Sequence, residues 1–253
     1  MWPILLWLLA GSAPREPARG PLLVSAAVSL TEALTECGEA FRANTRISVR
    51  FNFGASNTLA RQIVQGAPVD VFVSADQAQM TYAVREGMIR PDSVRVIASN
   101  QLVVIVPEGA PGPWRSAAPL GSPEIRRIAV GDPTAVPAGV YAREWLQRIG
   151  LWKAIEPKLV PGASVRGALS AVRTGGVDAG IVYRTDARSS GGVAVVFEVT
   201  GPEAPTIEYP AGLVAESVRA ADARAFVEFL QGASGQAILR RWGFGPGSEP
   251  GTR

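Results

Sequence analysis

The residues predict an α/β fold built as two domains, and three observations carry that expectation. Short apolar runs bounded by turn residues alternate with segments whose apolar residues recur at helical spacing, the pattern of strands covered by helices. After Leu102-Val103-Val104-Ile105-Val106 the alternation breaks at a Pro/Gly-rich stretch, 107–123, and then restarts, as at a crossing into a second domain. Four strand-to-helix joins, at Ser29, Ser56, Ala138 and Val165, fall two in each half, and ligands of α/β sheets sit beyond the carboxyl ends of strands.

The first strand starts at Leu22 and runs through small residues to Ser29, after which Leu30, Ala33, Leu34, Cys37 and Phe41 form the apolar stripe of a helix. Ser29 stands where an N-cap belongs, and Ser29-x-x-Glu32 has the form of a capping box. A second strand, 47–53, is broken by Gly54-Ala55-Ser56-Asn57, and a helix follows from Thr58 to Gly66, so Ser56 occupies the second join. The third strand, 69–74, leads into a helix capped by Asp76, where a carboxylate suits a structural cap and would repel an anion.

In the second half, strand 128–130 and a Gly/Pro-rich loop precede a helix over 140–149, with Ala138 and Gly139 leaving unobstructed N–H groups at its start. A short strand at 158–160, a helix from Val165 and a strand 179–182 ending in Tyr183 continue the alternation, which predicts mostly parallel sheets. Strands over 193–199 and 207–214 return to the first domain, and helices over 220–230 and 236–242 finish it. The expected division is a signal segment at 1–20, domain 1 over 21–103 and 190–244, domain 2 over 104–189, and a flexible tail at 245–253.

Composition narrows the function. The 253 residues, 47% of them hydrophobic, suffice for two modest cores. The 25 basic and 22 acidic residues are scattered, with no Lys/Arg cluster and no aromatic-basic interleaving, so no nucleic-acid partner is expected. Histidine is absent, which excludes Ser-His-Asp and Cys-His catalysis and removes the commonest zinc ligand; no bare metal-ion site is expected. The single Cys37 lies on a helical apolar stripe and reads as a small buried hydrophobe. Residues 1–13 have the apolar core and small-residue end of a secretory signal, atypical in lacking a preceding Lys or Arg and too short to span a bilayer comfortably.

A helix start beyond a strand offers free N–H groups and the positive end of the helix dipole, which together suit an anion. The segments Ala26-Ala27-Val28-Ser29-Leu30-Thr31, Thr58-Leu59-Ala60-Arg61-Gln62-Ile63, 66–77, Val130-Gly131-Asp132-Pro133, Val136-Pro137-Ala138-Gly139, Val165-Arg166-Gly167-Ala168-Leu169 and Gly180-Ile181-Val182-Tyr183 occur in the order of a known family. Over 22–244 the chain resembles the periplasmic molybdate-binding proteins of ABC transporters. The resemblance implies a two-domain periplasmic-binding-protein-like (type II) fold with the ligand cleft between domains, and no catalysis. Molybdate, with tungstate as a second ligand, would be held by Ser29, Ser56, Ala138, Val165 and Tyr183. No cofactor is implied, and the partners would be the oxyanion and a membrane permease, the receptor itself being a monomer in the periplasm.

Each of the five positions also has a structural reading: the serines cap helices, Ala138 and Val165 start them, and Tyr183 ends a strand. Two departures from the family stand out, Glu32 in place of a small or amide residue and Gly54, Ala55 and Asn57 in place of serine-rich sequence. A Glu32 carboxylate folded back as a capping partner would oppose a dianion. The rival readings are an enzyme of the same scaffold with an anionic substrate, which would lack both histidine and a carboxylate pair at the joins, and a receptor for another oxyanion such as sulfate.

Overall fold

β-branched and small residues dominate the strands, which are two to seven residues long, and their direction decides where the helices begin. The computed structural model describes residues 20–247; the expected signal segment before Gly20 and residues 248–253 of the expected tail lie outside the described residues. The chain opens with β1 (Leu22–Ala27), a tight 3-10 turn Val28–Leu30, α1 (Thr31–Thr45), β2 (Val49–Gly54), α2 (Ser56–Val64), β3 (Val71–Val73), α3 (Gln77–Arg85) and β4 (Arg95–Asn100). It then passes through β5 (Leu102–Pro107), β6 (Ile128–Gly131), α4 (Pro137–Arg148), the short α5 (Trp152–Ile155), β7 (Leu159–Gly162), α6 (Val165–Arg173), β8 (Ala179–Tyr183), the short α7 (Arg184–Arg188) and β9 (Val193–Glu198). β10 (Ile207–Leu213), α8 (Ala220–Gln231), α9 (Ala233–Arg241) and β11 (Gly245–Pro246) complete it.

Two mixed sheets result, one of six strands in the order β11-β4-β10-β3-β1-β2 and one of five in the order β7-β6-β8-β5-β9. Only β1 with β2 and β3, and β6 with β7 and β8, are parallel; the remaining pairs are antiparallel, which corrects the expectation of mostly parallel strands. The reason is the crossing. β5 and β10 each enter a sheet directly from the other lobe, so they run away from the interlobe face, whereas the strands that feed helices run towards it.

The crossing itself is one residue long. β4 ends at Asn100 and β5 begins at Leu102, so Gln101 joins the lobes and the Pro/Gly-rich stretch 107–123 lies wholly within the second one. β9 pairs with β5, so the chain returns to the six-stranded sheet at β10, later than the expected 190. The two crossings are tied together: Val199 N–H donates to the Leu102 carbonyl (3.0 Å) and Gln101 Nε2 donates to the Val199 carbonyl (3.0 Å). Gly245 and Pro246, expected in a flexible tail, add a strand beside β4.

β10 is a central strand that contains a proline, an arrangement that costs a ladder hydrogen bond. Its register against β4 shifts between Tyr209 and Pro210, and the Pro210 carbonyl still accepts from Ser74 N–H (2.9 Å). Beneath the first sheet, Phe41 meets Phe226 and Phe229 edge-on at centroid distances of 5.2 and 5.6 Å. Cys37 is fully buried there, and burial pushes its thiol up to about 12, so it is an inert hydrophobe as expected. Among the described residues no helix is long and apolar enough to cross a membrane.

α4 starts earlier than expected, with Pro137 in its first turn, and it lies directly on the end of β6. A Cβ at Gly139 would stand 2.0 Å from the Gly131 carbonyl oxygen, so only glycine permits this approach. Gly139→Ala should therefore lower the unfolding free energy by about 1–3 kcal/mol; urea denaturation of the variant checks this, and an unchanged midpoint would contradict the tight packing.

Candidate functional site

The strands that run towards the interlobe face deliver their helices to one place. Ser29, Ser56, Ala138, Val165 and Tyr183 all line a single small cavity between the two sheets, with Ala27, Gly54 and Ala75 as small walls. Ser29 comes from the 3-10 turn after β1, Ser56 is the first residue of α2, Ala138 the second of α4, Val165 the first of α6 and Tyr183 the last of β8. First-turn N–H groups have no partner within their helix. Pro137 has no N–H, so Ala138 presents the first one of α4.

The two serines are not caps. Ser29 sits inside the 3-10 turn, whose N-cap is Ala27, and its hydroxyl lies 3.1 Å from Tyr209 Oη. The capping box does not form, because the 3-10 turn carries the chain past the geometry in which Glu32 could reach back. Ser56 follows the N-cap Ala55, and its Oγ accepts from Ala75 N–H at 2.9 Å. That bond occupies a lone pair and leaves the Ser56 proton free to be donated. By contrast, Asp76 and Ser164 do cap: Asp76 Oδ1 accepts from Gln79 N–H (3.0 Å) and Ser164 Oγ from Gly167 N–H (3.1 Å). The latter leaves the N–H groups of Val165 and Arg166 outside the cap.

Tyr183 is the least satisfied group of the site. Its side chain is buried, its Oη has no hydrogen-bond partner among the described residues, and burial pushes the phenol well above its ordinary range, so it remains a proton donor at neutral pH. Every polar group that the serines, the helix starts and Tyr183 turn to the cavity can donate a hydrogen.

Glu32 does not oppose this field as expected. Its carboxylate receives Arg166 Nη1 (3.0 Å) and Nη2 (2.6 Å) from the other lobe, while Arg166 Nε donates to the fully buried Asp186 at 2.5 Å. Burial raises the Glu32 carboxyl, but the Arg166 hydrogen bonds, a bond from its own backbone N–H and the guanidinium charge together outweigh it and hold the group below its ordinary 4.5. The departure from the family at position 32 is thus matched by an arginine 134 residues away. Nothing local predicts the pair: Arg166 is legible only as a residue of a helix start. Tyr209 and Asn100, which bond behind Ser29, were likewise invisible, since each lies on a strand of ordinary composition. Among the described residues no group of His, Cys, Asp and Glu could hold a metal ion.

Known proteins resemble this chain over most of its length. Residues 22–245 match the family described as bacterial extracellular solute-binding protein. The molybdate-binding protein ModA of Escherichia coli is 39% identical over 95% of this chain and 94% of its own length. The putative ABC transporter substrate-binding lipoprotein YvgL of Bacillus subtilis is 36% identical over 88% of this chain and 85% of its own length. Among solved structures, the substrate-binding domain of a putative molybdenum ABC transporter from Clostridium difficile superposes with a TM-score of 0.70 at 33% identity, covering 89% of this chain and 98% of that one.

The cross-lobe ion pair makes a pH-dependent contribution. Because the folded Glu32 is held below 4.5, the pair's stabilisation is fully present above that value and is lost as pH falls through the lowered one. Glu32→Gln should cost about 0.5–1 kcal/mol at pH 7, the range for partly exposed pairs, and the gap between variant and parent should close in acid. Urea unfolding of both proteins across pH tests it; a pH-independent gap would assign the loss to packing instead.

Proposed function

The chain belongs to the bacterial extracellular solute-binding protein family, and from that premise we propose that it captures molybdate outside the cytoplasm, takes tungstate in the same site, and delivers the anion to an ABC transporter permease. The observation that carries this reading is the buried, unpartnered Tyr183 hydroxyl, facing a cavity on which four helix starts converge. A tetrahedral dianion supplies the acceptors such a cavity lacks. Ser29 and Ser56 donate from hydroxyl and N–H, Ala138 and Val165 from N–H, and Tyr183 from its phenol.

Hydrogen bonds to a charged group contribute roughly 1.5–3 kcal/mol each, so about six of them support a nanomolar complex, near −12 kcal/mol, after ordering and closure costs. No cofactor is needed. Because the donors come from both lobes, the anion is sequestered by closure about Gln101 and released by opening, and the closed form is what docks on the permease. The protein acts as a monomer, exported by the atypical segment at its N-terminus.

Calorimetry with molybdate, tungstate, sulfate and phosphate tests the reading, and saturable binding without turnover is expected. Ser56→Ala should weaken molybdate binding by about 1–3 kcal/mol, since it removes a donor to a buried charge. Wild-type affinity in a folded variant would take the Ser56 hydroxyl out of the site.

The rigid donor set should also rank the anions. Molybdate and tungstate should bind together, then sulfate, which is excluded only by its smaller size. Phosphate should come last, because its proton would meet a donor at a cost of roughly 1–3 kcal/mol. Competition titrations at one pH and ionic strength decide the order; phosphate binding best would mean that an acceptor reaches the cavity.

A further inference from the structure

Ser29 is the one hydroxyl of the site whose donor or acceptor role is set from outside the cavity, through a chain of hydrogen bonds that ends at the lobe crossing. Gln101 N–H donates to Asn100 Oδ1 at 2.8 Å, which fixes the orientation of that amide. Asn100 Nδ2 therefore points its two hydrogens at Thr185 Oγ1 (2.9 Å) and at Tyr209 Oη (3.1 Å). Tyr209 is fully buried, with its ring held edge-on between Tyr183 (6.0 Å) and Phe244 (5.5 Å). Its oxygen already accepts from Asn100, and its own proton would be a buried unsatisfied donor unless Ser29 Oγ, 3.1 Å away, accepts it.

We infer that Tyr209, oriented by Asn100, is a specificity-determining residue that makes Ser29 a donor towards the cavity and so rejects oxyanions that carry a proton. With a lone pair of Ser29 Oγ engaged by Tyr209, the Ser29 proton has the cavity as its outlet. A fully deprotonated tetrahedral dianion accepts it. Tyr209 takes one of the two Ser29 Oγ lone pairs, so a hydrogen phosphate whose O–H meets the Ser29 proton brings two donors face to face and has a single lone pair left as the alternative. Neither Tyr209 nor Asn100 lines the cavity, so both act through Ser29 as positioning residues. The inference rests on the oxyanion reading above and adds the residues that set its selectivity.

Two substitutions separate polarity from mere support. Tyr209→Phe keeps the ring and frees Ser29 Oγ to accept. Asn100→Asp replaces the amide donor with a carboxylate that accepts the Tyr209 proton, so Ser29 donates to Tyr209 and turns lone pairs to the cavity. Its added charge repels all dianions alike, and for that reason the readout is a ratio. Dissociation constants for molybdate, sulfate and phosphate are measured by calorimetry on the parent and on each variant shown to be folded by its thermal transition.

The expected result is a fall of about tenfold or more in the preference for molybdate over phosphate, with the preference for molybdate over sulfate, which carries no proton, nearly unchanged. If both ratios move together, or neither moves in either variant, the inference is overturned and Tyr209 only supports the fold. A parent protein that binds none of the three anions would instead sink the oxyanion reading, and this one with it.

Discussion

An N–H group in the first turn of a helix cannot be satisfied by its own helix, and this protein turns several such starts towards one cavity. That arrangement requires the strands that feed helices to end at the interlobe face, in both sheets. The two strands that carry the chain between lobes must then start at that face, which accounts for the antiparallel placement of β5 and β10. It accounts as well for the brevity of the connection through Gln101, since both strand ends already lie at the face where the crossing occurs.

Charge is kept away from the cavity but used beside it. The donors that line the site are neutral, which suits a ligand that must leave again, while Arg166 pairs with Glu32 across the lobes and with Asp186 within its own. A cation placed directly on the ligand would strengthen binding at the expense of release. Here the ion pair acts instead on the relation between lobes, because Arg166 follows Val165 at the start of α6 and its guanidinium reaches α1 of the other lobe. Position 32, which in isolation reads as a repulsive defect, becomes part of the contact between the lobes.

Much of the architecture is legible because its signals are local. The helical stripe of Leu30, Leu34, Cys37 and Phe41, the continuous apolar run of β5, and the cap Asp76 depend on neighbours within a few residues. The misreadings have equally local causes. Ser29 and Glu32 satisfy the spacing of a capping box, yet the spacing says nothing of the 3-10 turn that precedes α1. β4 has polar residues at both ends and offers a weak pattern, and β9 looks the same whichever sheet it joins.

The sequence by itself determined the alternation of strands and helices, the strand-to-helix joins around Ser56, Ala138 and Val165, and the exclusion of histidine-dependent chemistry, since these follow from residue type and short-range spacing. Tertiary structure alone decided which way the hydroxyls point and how the charges pair. Ser29 meets Tyr209 across 180 residues, Glu32 meets Arg166 across 134, and Ala75 N–H finds Ser56 from the loop after β3. Hydrogen-bond direction depends on the second partner of each group, and that partner is supplied by folding, not by the neighbours along the chain.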